Sequence, residues 1–277
     1  MSIMLRVYKT SDGVTVEEAG RFLRSAGLSI DALFKSEHPL DTLAQFNAQP
    51  AEAPNTADLL PPIESQEVWA AGVTYLRSRD ARIEESESSG ADRLYDMVYE
   101  AARPELFFKA TPSRVRGHGQ TVRIRSDGTW NVPEPELTLA INRAGRIFGY
   151  TIGNDMSSRD IEGENPLYLP QAKIYRGSCA LGPALVLAPE PLPPTTRIEI
   201  EILRGDVPVF TGESTLSRMK RGLDELASWL FREQDFPEGA YLMTGTGIVP
   251  PATFSLRSRD LIRISIEGLG RLENEVE

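Results

Sequence analysis

The run Val132-Pro133-Glu134-Pro135-Glu136, leading straight into Leu137-Thr138-Leu139-Ala140-Ile141-Asn142, leaves the chain few ways to fold there. Two prolines exclude a helix interior, and the apolar and β-branched residues that follow read as a strand. Residues i and i+2 of a strand share a face, roughly 6.6 Å apart, so Glu134 and Glu136 aim at one spot. Pro135 points away and forbids a ladder bond, as at a strand end or sheet edge. Asn142-Arg143-Ala144-Gly145-Arg146 is a turn, and Ile147 to Ile152 reads as a second strand ending at Gly153-Asn154-Asp155. The spacing predicts an antiparallel return that can bring Asp155 beside the two glutamates. Three carboxylates at one point repel unless positive charge sits between them. A hard divalent cation bound by oxygens, Mg²⁺ or Mn²⁺, answers that need. Glu-x-Glu is also a short motif, and the same residues read equally as exposed strand glutamates and a turn aspartate.

Further motifs follow in order: Gly149-Tyr150-Thr151-Ile152-Gly153-Asn154-Asp155-Met156-Ser157-Ser158-Arg159-Asp160, then Lys173, Gly182-Pro183, Thr244-Gly245-Thr246-Gly247, and the tail from Glu267 to Val276. With Glu-x-Glu they resemble the fumarylacetoacetate hydrolase (FAH) family, from about Val68 to the C-terminus. Within it, Ile161 to Lys173 is most similar to the branch that dehydrates 2-keto-3-deoxy sugar acids such as 2-keto-3-deoxy-D-arabinonate. The resemblance implies an α+β, mostly β protein: a mixed β-roll catalytic domain over 63–277 and a small N-terminal α/β domain over 1–62. It implies Mg²⁺ on Glu134, Glu136 and Asp155, with Mn²⁺ or Ca²⁺ as alternatives. It implies Lys173 facing the metal-bound substrate, with Tyr75, Arg159, Glu162 and Thr246 as substrate contacts. It also implies a homodimer or homotetramer.

The residues agree with a mostly β chain. Many short strands, few helices and several hairpins run from Val68 to Ile266. Ile3 to Tyr8 alternates like a strand, Thr15 to Arg24 fits a short helix capped by Thr15, and Asn47 to Pro62, with its prolines, reads as a linker. Pro104 to Lys109 is a strand with Glu105, Phe107 and Lys109 on one face. Glu105 and Lys109 there form either a structural ion pair or, for Glu105, a semi-buried acid beside the site. Thr121 to Arg125 alternates as a further strand, and Gly163 to Gln171 reads as a loop. Leu76 to Arg103 is polar, with a Ser/Gly-rich centre at Ser86 to Gly90. It reads as two solvated helices or as a lid that orders over substrate.

With 25% charged residues and a net charge of −10, nucleic acid and anionic membrane are not expected partners. No apolar run reaches membrane-span length and the first residues begin no signal peptide, so the cytoplasm is the expected location. The single cysteine, Cys179, allows no internal disulfide and reads as a packing residue.

The expected reaction is loss of water from a 2-keto acid. The keto acid chelates the metal, which stabilises the enolate formed as a C3 proton leaves. Lys173 is the candidate base, and Glu105 or Glu85 the candidate acid for the C4 hydroxyl. The alternative is hydrolysis of a β-diketo acid on the same metal, or a related decarboxylation or isomerisation. In the family's hydrolases a histidine and a glutamate shortly after the tyrosine activate water. Here Leu76-Arg77-Ser78-Arg79-Asp80 has no histidine.

Overall fold

The acidic strand and its return lie in the middle of an eleven-stranded sheet. In this computed structural model, residues 4–25, 27–46, 48–86 and 92–277 are described, with backbone alone at 82, 84–86 and 92–94. The chain opens with β1 (Leu5–Thr10), β2 (Gly13–Glu18) and β3 (Arg21–Arg24). The helix expected from Thr15 to Arg24 is therefore a hairpin. Val7 and Val14 alternate inward, and Ala19 and Gly20 both take positive φ (48° and 78°). That pairing fits a tight turn whose twist matches its strands. Helices α1 (Ile30–Lys35) and α2 (Pro39–Gln45) follow, and the linker holds a short edge strand, β4 (Gln49–Ala51).

Next come β5 (Glu67–Gly72), α3 (Leu76–Ser86), α4 (Asp92–Glu100), β6 (Glu105–Ala110) and the two-residue β7 (Val115–Arg116). The residues between α3 and α4, the centre of the expected lid, lie outside the described set. Thr121 to Arg125 is not a strand: Val122 makes one isolated bridge, to Val276. Its backbone is shared between partners, with Val122 N bonding Glu275 O and Arg123 N bonding Gly177 O.

Strands β8 (Asn131–Ile141) and β9 (Ile147–Ser158) pair antiparallel. The stretch from Gly163 to Gln171 is helical rather than a loop, in α5 (Arg159–Glu164), a 3₁₀ turn and α6 (Leu169–Lys173). Asn165 caps the turn by accepting from Leu167 N at 3.0 Å. Both prolines sit in first turns, where a missing N–H costs no helix bond. The rest is β10 (Cys179–Leu187), β11 (Arg197–Arg204), β12 (Val207–Thr215), α7 (Leu223–Leu230), β13 (Ala240–Met243), β14 (Asp260–Ile266) and β15 (Gly270–Glu275).

The large sheet runs β4-β3-β2-β1-β10-β9-β8-β13-β5-β6, with β7 beside β10; the second runs β12-β11-β14-β15. Alternation sorts β8 into two faces. Leu137, Leu139 and Ile141 enter the main core with Ile200, Ile202, Ile262 and Ile264 of the second sheet. Glu134, Glu136 and Thr138 therefore face the other way.

Asp31 of α1 holds the residues that lead into β5. Its carboxylate accepts from Ser65 N (3.0 Å), Ser65 Oγ (2.7 Å) and Gln66 Nε2 (2.8 Å). Burial alone would raise this carboxyl, but the bonds from Ser65 and Gln66, with Lys35 nearby, hold it below its ordinary value. A depressed acid adds stability above its unfolded pKa, about 3.9, and loses it as pH falls through the folded one. The melting temperature of the wild type should exceed that of Asp31→Asn at pH 7, with the gap narrowing below about pH 4. A gap unchanged across that range would contradict the role.

Candidate active site

The register sets Glu134 opposite Asp155 and Glu136 opposite Gly153. One oxygen from each of Glu134, Glu136 and Asp155 lies within 4.8 Å of the others, and all three side chains are buried. Three cationic side chains, each at most 1% exposed, surround them: Lys109, Arg159 and Lys173. Lys173, at the end of α6, puts Nζ 2.5 Å from Glu134 Oε2 and 3.2 Å from Asp155 Oδ2. Arg159, opening α5, puts Nη2 2.5 Å from Glu134 Oε1. Lys109 pairs with Asp155 Oδ1 and donates to Met156 O (3.1 Å) and Lys173 O (2.6 Å). This face has two sequence readings, a Glu105–Lys109 pair or a semi-buried Glu105; in the structure Lys109 pairs with Asp155, and it lies deeper in the sheet than Glu105.

Glu136 is the least compensated of the acids. It accepts from Gly245 N at 2.6 Å. Burial first, then the charges of Asp155 and Glu134, push its carboxyl well above the ordinary range. Two like charges at that separation repel by about 3–4 kcal/mol at an effective dielectric near 20. A single hydrogen bond to a charged group returns about 1.5–3 kcal/mol. An all-oxygen, mostly anionic donor set with residual repulsion fits a hard divalent cation. The close approach of Gly245 depends on its lacking a side chain. At φ 90°, a Cβ there would overlap Thr74 Oγ1 and lie 3.0 Å from Ala71 O.

The pocket over this cluster is walled by Ala71, Gly72, Val73, Ser78, Phe107, Gly245 and Thr246. Glu105 pairs with Gly72 across β5 and β6, and a Cβ on Gly72 would collide with its carboxylate. That puts the Glu105 carboxylate against Gly72, one of the wall residues. Tyr75 is buried, and its hydroxyl meets no hydrogen-bond partner among the described residues. Its phenol is pushed far up by burial and then by Glu136. Thr246 is buried and ties its hydroxyl to Ile248. Glu162, also buried, accepts from Ser157 Oγ at 2.9 Å. The side chain of Glu85 lies outside the described residues.

The structure therefore gathers Glu134, Glu136, Asp155, Lys173 and Arg159 in one cluster, with Thr246 in the pocket wall, Glu105 beside it and Tyr75 near Glu136. Lys109 was not foreseen there; its apolar neighbours Leu106, Phe107 and Phe108 are the signal the sequence offers. Tyr175 was missed as well: its phenol is pushed up by burial and then by Asp155. Neither histidine lines the pocket. His38 is exposed, and His118 Nδ1 accepts from Glu273 N at 3.2 Å.

A sequence model described as the fumarylacetoacetate (FAA) hydrolase C-terminal region matches residues 85–277. The chain belongs to the fumarylacetoacetate hydrolase family. Among family relatives, a probable 2-keto-3-deoxyxylonate dehydratase from Haloferax volcanii is 48% identical over 217 residues, 78% of this chain and 73% of that one. A 2-dehydro-3-deoxy-D-arabinonate dehydratase from Saccharolobus solfataricus is 41% identical over 225 residues, 80% of this chain and 76% of that one. A solved 2-keto-3-deoxy-D-arabinonate dehydratase complexed with magnesium and 2,5-dioxopentanoate superposes with a TM-score of 0.85 at 32% identity, covering 99% of this chain and 98% of that one. The mostly β architecture of this family member matches that neighbour. Among the described residues, no helix is long and apolar enough to cross a membrane.

Proposed function

We propose that this chain is a Mg²⁺-dependent dehydratase of a 2-keto-3-deoxy sugar acid, such as 2-keto-3-deoxy-D-arabinonate, giving 2,5-dioxopentanoate. The observation that carries the reading is the buried lysine Lys173 in contact with two carboxylates of a three-carboxylate cluster, at a pocket without histidine. Glu134, Glu136 and Asp155 would hold the cation. When bound, the cation polarises the keto oxygen and offsets the negative charge that grows there.

The chain's own groups supply the proton transfers. Lys173 takes the C3 proton, which is acidified by the neighbouring ketone. Glu105, packed against the wall residue Gly72, gives a proton to the C4 hydroxyl as the C4–O bond breaks and water leaves. Glu85 is the second candidate for that acid. Loss of the proton and hydroxide leaves a C3–C4 double bond; shifting a proton from C5 to C3 then gives the C4–C5 enol, and transfer of the enol hydroxyl proton to C4 leaves the C5 aldehyde. Arg159, Glu162, Tyr75 and Thr246 bind the substrate's polar groups. The unpartnered Tyr75 hydroxyl supports that role, since a buried donor calls for an acceptor. Residues 63–277 form the catalytic domain and 1–62 the small N-terminal one; every proposed site residue falls in the first. A cytoplasmic homodimer or homotetramer completes the proposal, in keeping with the acidic net charge.

The test is metal dependence on a sugar acid. A 2-keto-3-deoxypentonate should be consumed with Mg²⁺ present and left intact after EDTA, with turnover restored by added Mg²⁺. Equal consumption in EDTA would overturn the reading.

A further inference from the structure

We infer that Lys109 is a positioning residue that locks the metal-ligand strand to the helix bearing the base. This rests on the proposed role of Lys173. An ammonium group has three donors and no acceptor. Lys109 donates to Met156 O at 3.1 Å and to Lys173 O at 2.6 Å, and its charge is paired with Asp155 Oδ1. Lys109 is fully buried and does not line the pocket, so it is not placed to bind a substrate. The two lysines are thereby distinguished. Lys173 Nζ contacts only carboxylates and lines the pocket, 5.9 Å from the Phe107 ring centre, whereas Lys109 is fully buried and does not line it.

The three partners belong to two elements that share no ladder. Asp155 and Met156 lie on β9, and Lys173 closes α6. The Lys173 carbonyl also accepts from Ser178 Oγ at 2.8 Å, so Lys109 and Ser178 together fix this helix end. Lys109 divides Asp155 with Lys173, taking Oδ1 and leaving Oδ2 toward the other lysine. Rotating the carboxylate would separate it from both lysines. The spacing between the ligand carboxylate and the base amine is therefore set by a third side chain, which itself hangs from β6.

Lys109→Arg keeps the positive charge but replaces the compact ammonium with a planar guanidinium that cannot reproduce all three contacts, and Lys109→Met removes them all. Each variant should lower kcat by about a hundredfold, as expected for a base displaced by about 1 Å, with KM for the keto acid little changed. Mg²⁺ affinity, read by calorimetry on the metal-free protein, should weaken by about tenfold because Asp155 is no longer held. In a Lys173→Met background, adding Lys109→Arg should cost almost nothing further in activity, since the base it positions is gone. Thermal melts identify any variant that fails to fold, and Lys109→Arg carries the test if Lys109→Met does not fold. Wild-type kcat and Mg²⁺ affinity in folded Lys109→Arg would overturn the inference, as would a full hundredfold further loss on top of Lys173→Met. If Lys173→Met itself stays active, the base assignment fails instead, and the calorimetry still decides whether Lys109 positions Asp155.

Discussion

Replacing Lys173 by methionine should lower kcat by about three orders of magnitude, the range spanned by loss of a positioned general base. Methionine nearly keeps the volume and the apolar stem, while the amine and its approach to the Phe107 ring are lost. The variant should still bind Mg²⁺ at least as tightly as the wild type, because the lysine's positive charge no longer competes for Glu134 and Asp155. It should also fail to exchange the methyl protons of pyruvate with deuterated water, a reaction that needs only the base and the cation. The proposed role of Lys173 is that of a base and not of an imine-forming nucleophile, since the cation would supply the electron sink an imine provides. Borohydride added with substrate should leave the mass of the wild-type protein unchanged. A trapped adduct on Lys173, or normal proton exchange in the variant, would contradict this assignment.

Glu136→Gln should weaken Mg²⁺ binding by at least about a hundredfold and remove nearly all turnover, a larger loss than the 10- to 100-fold typical of outer-shell changes. The substitution keeps the shape and an oxygen for Gly245 N. It removes one negative charge from a cluster in which Glu136 repels both Asp155 and Glu134. The metal-free variant should therefore melt no lower than the wild type, and this separates lost binding from lost folding. Asp155→Asn should weaken binding similarly, but it also removes the charge that Lys109 and Lys173 face, so its melting temperature should fall. Unchanged Mg²⁺ affinity in both variants would remove the metal site from the account.

The cluster was legible because strand geometry is short-range. Pro133 and Pro135 exclude helix, alternation aligns Glu134 with Glu136, and a five-residue turn returns the chain so that Asp155 meets Glu134. Lys109 was harder to read, because its partners, Asp155 and the carbonyls of Met156 and Lys173, come from distant segments. Alternation put it on a face with Glu105 but could not say how deep that face lies. The hairpin at Thr15 to Arg24 was misread for another reason. Thr-x-Glu-Glu is a helix-start signal, and the positive φ at Ala19 gives no sign in an alanine. The helical turns after Asp160 were hidden by Pro166 and Pro170, which read as loop markers unless they fall in a first turn, as both do.

The central claim is that this site removes water from a keto-deoxy acid rather than adding it across a carbon–carbon bond. The decisive measurement is product identity by mass spectrometry, with a 2-keto-3-deoxypentonate and an acylpyruvate offered separately under the same Mg²⁺ conditions. The account predicts 2,5-dioxopentanoate, lighter than its substrate by one water, and little or no cleavage of the acylpyruvate. Rapid acylpyruvate cleavage, with no water lost from any keto-deoxy acid, would contradict it.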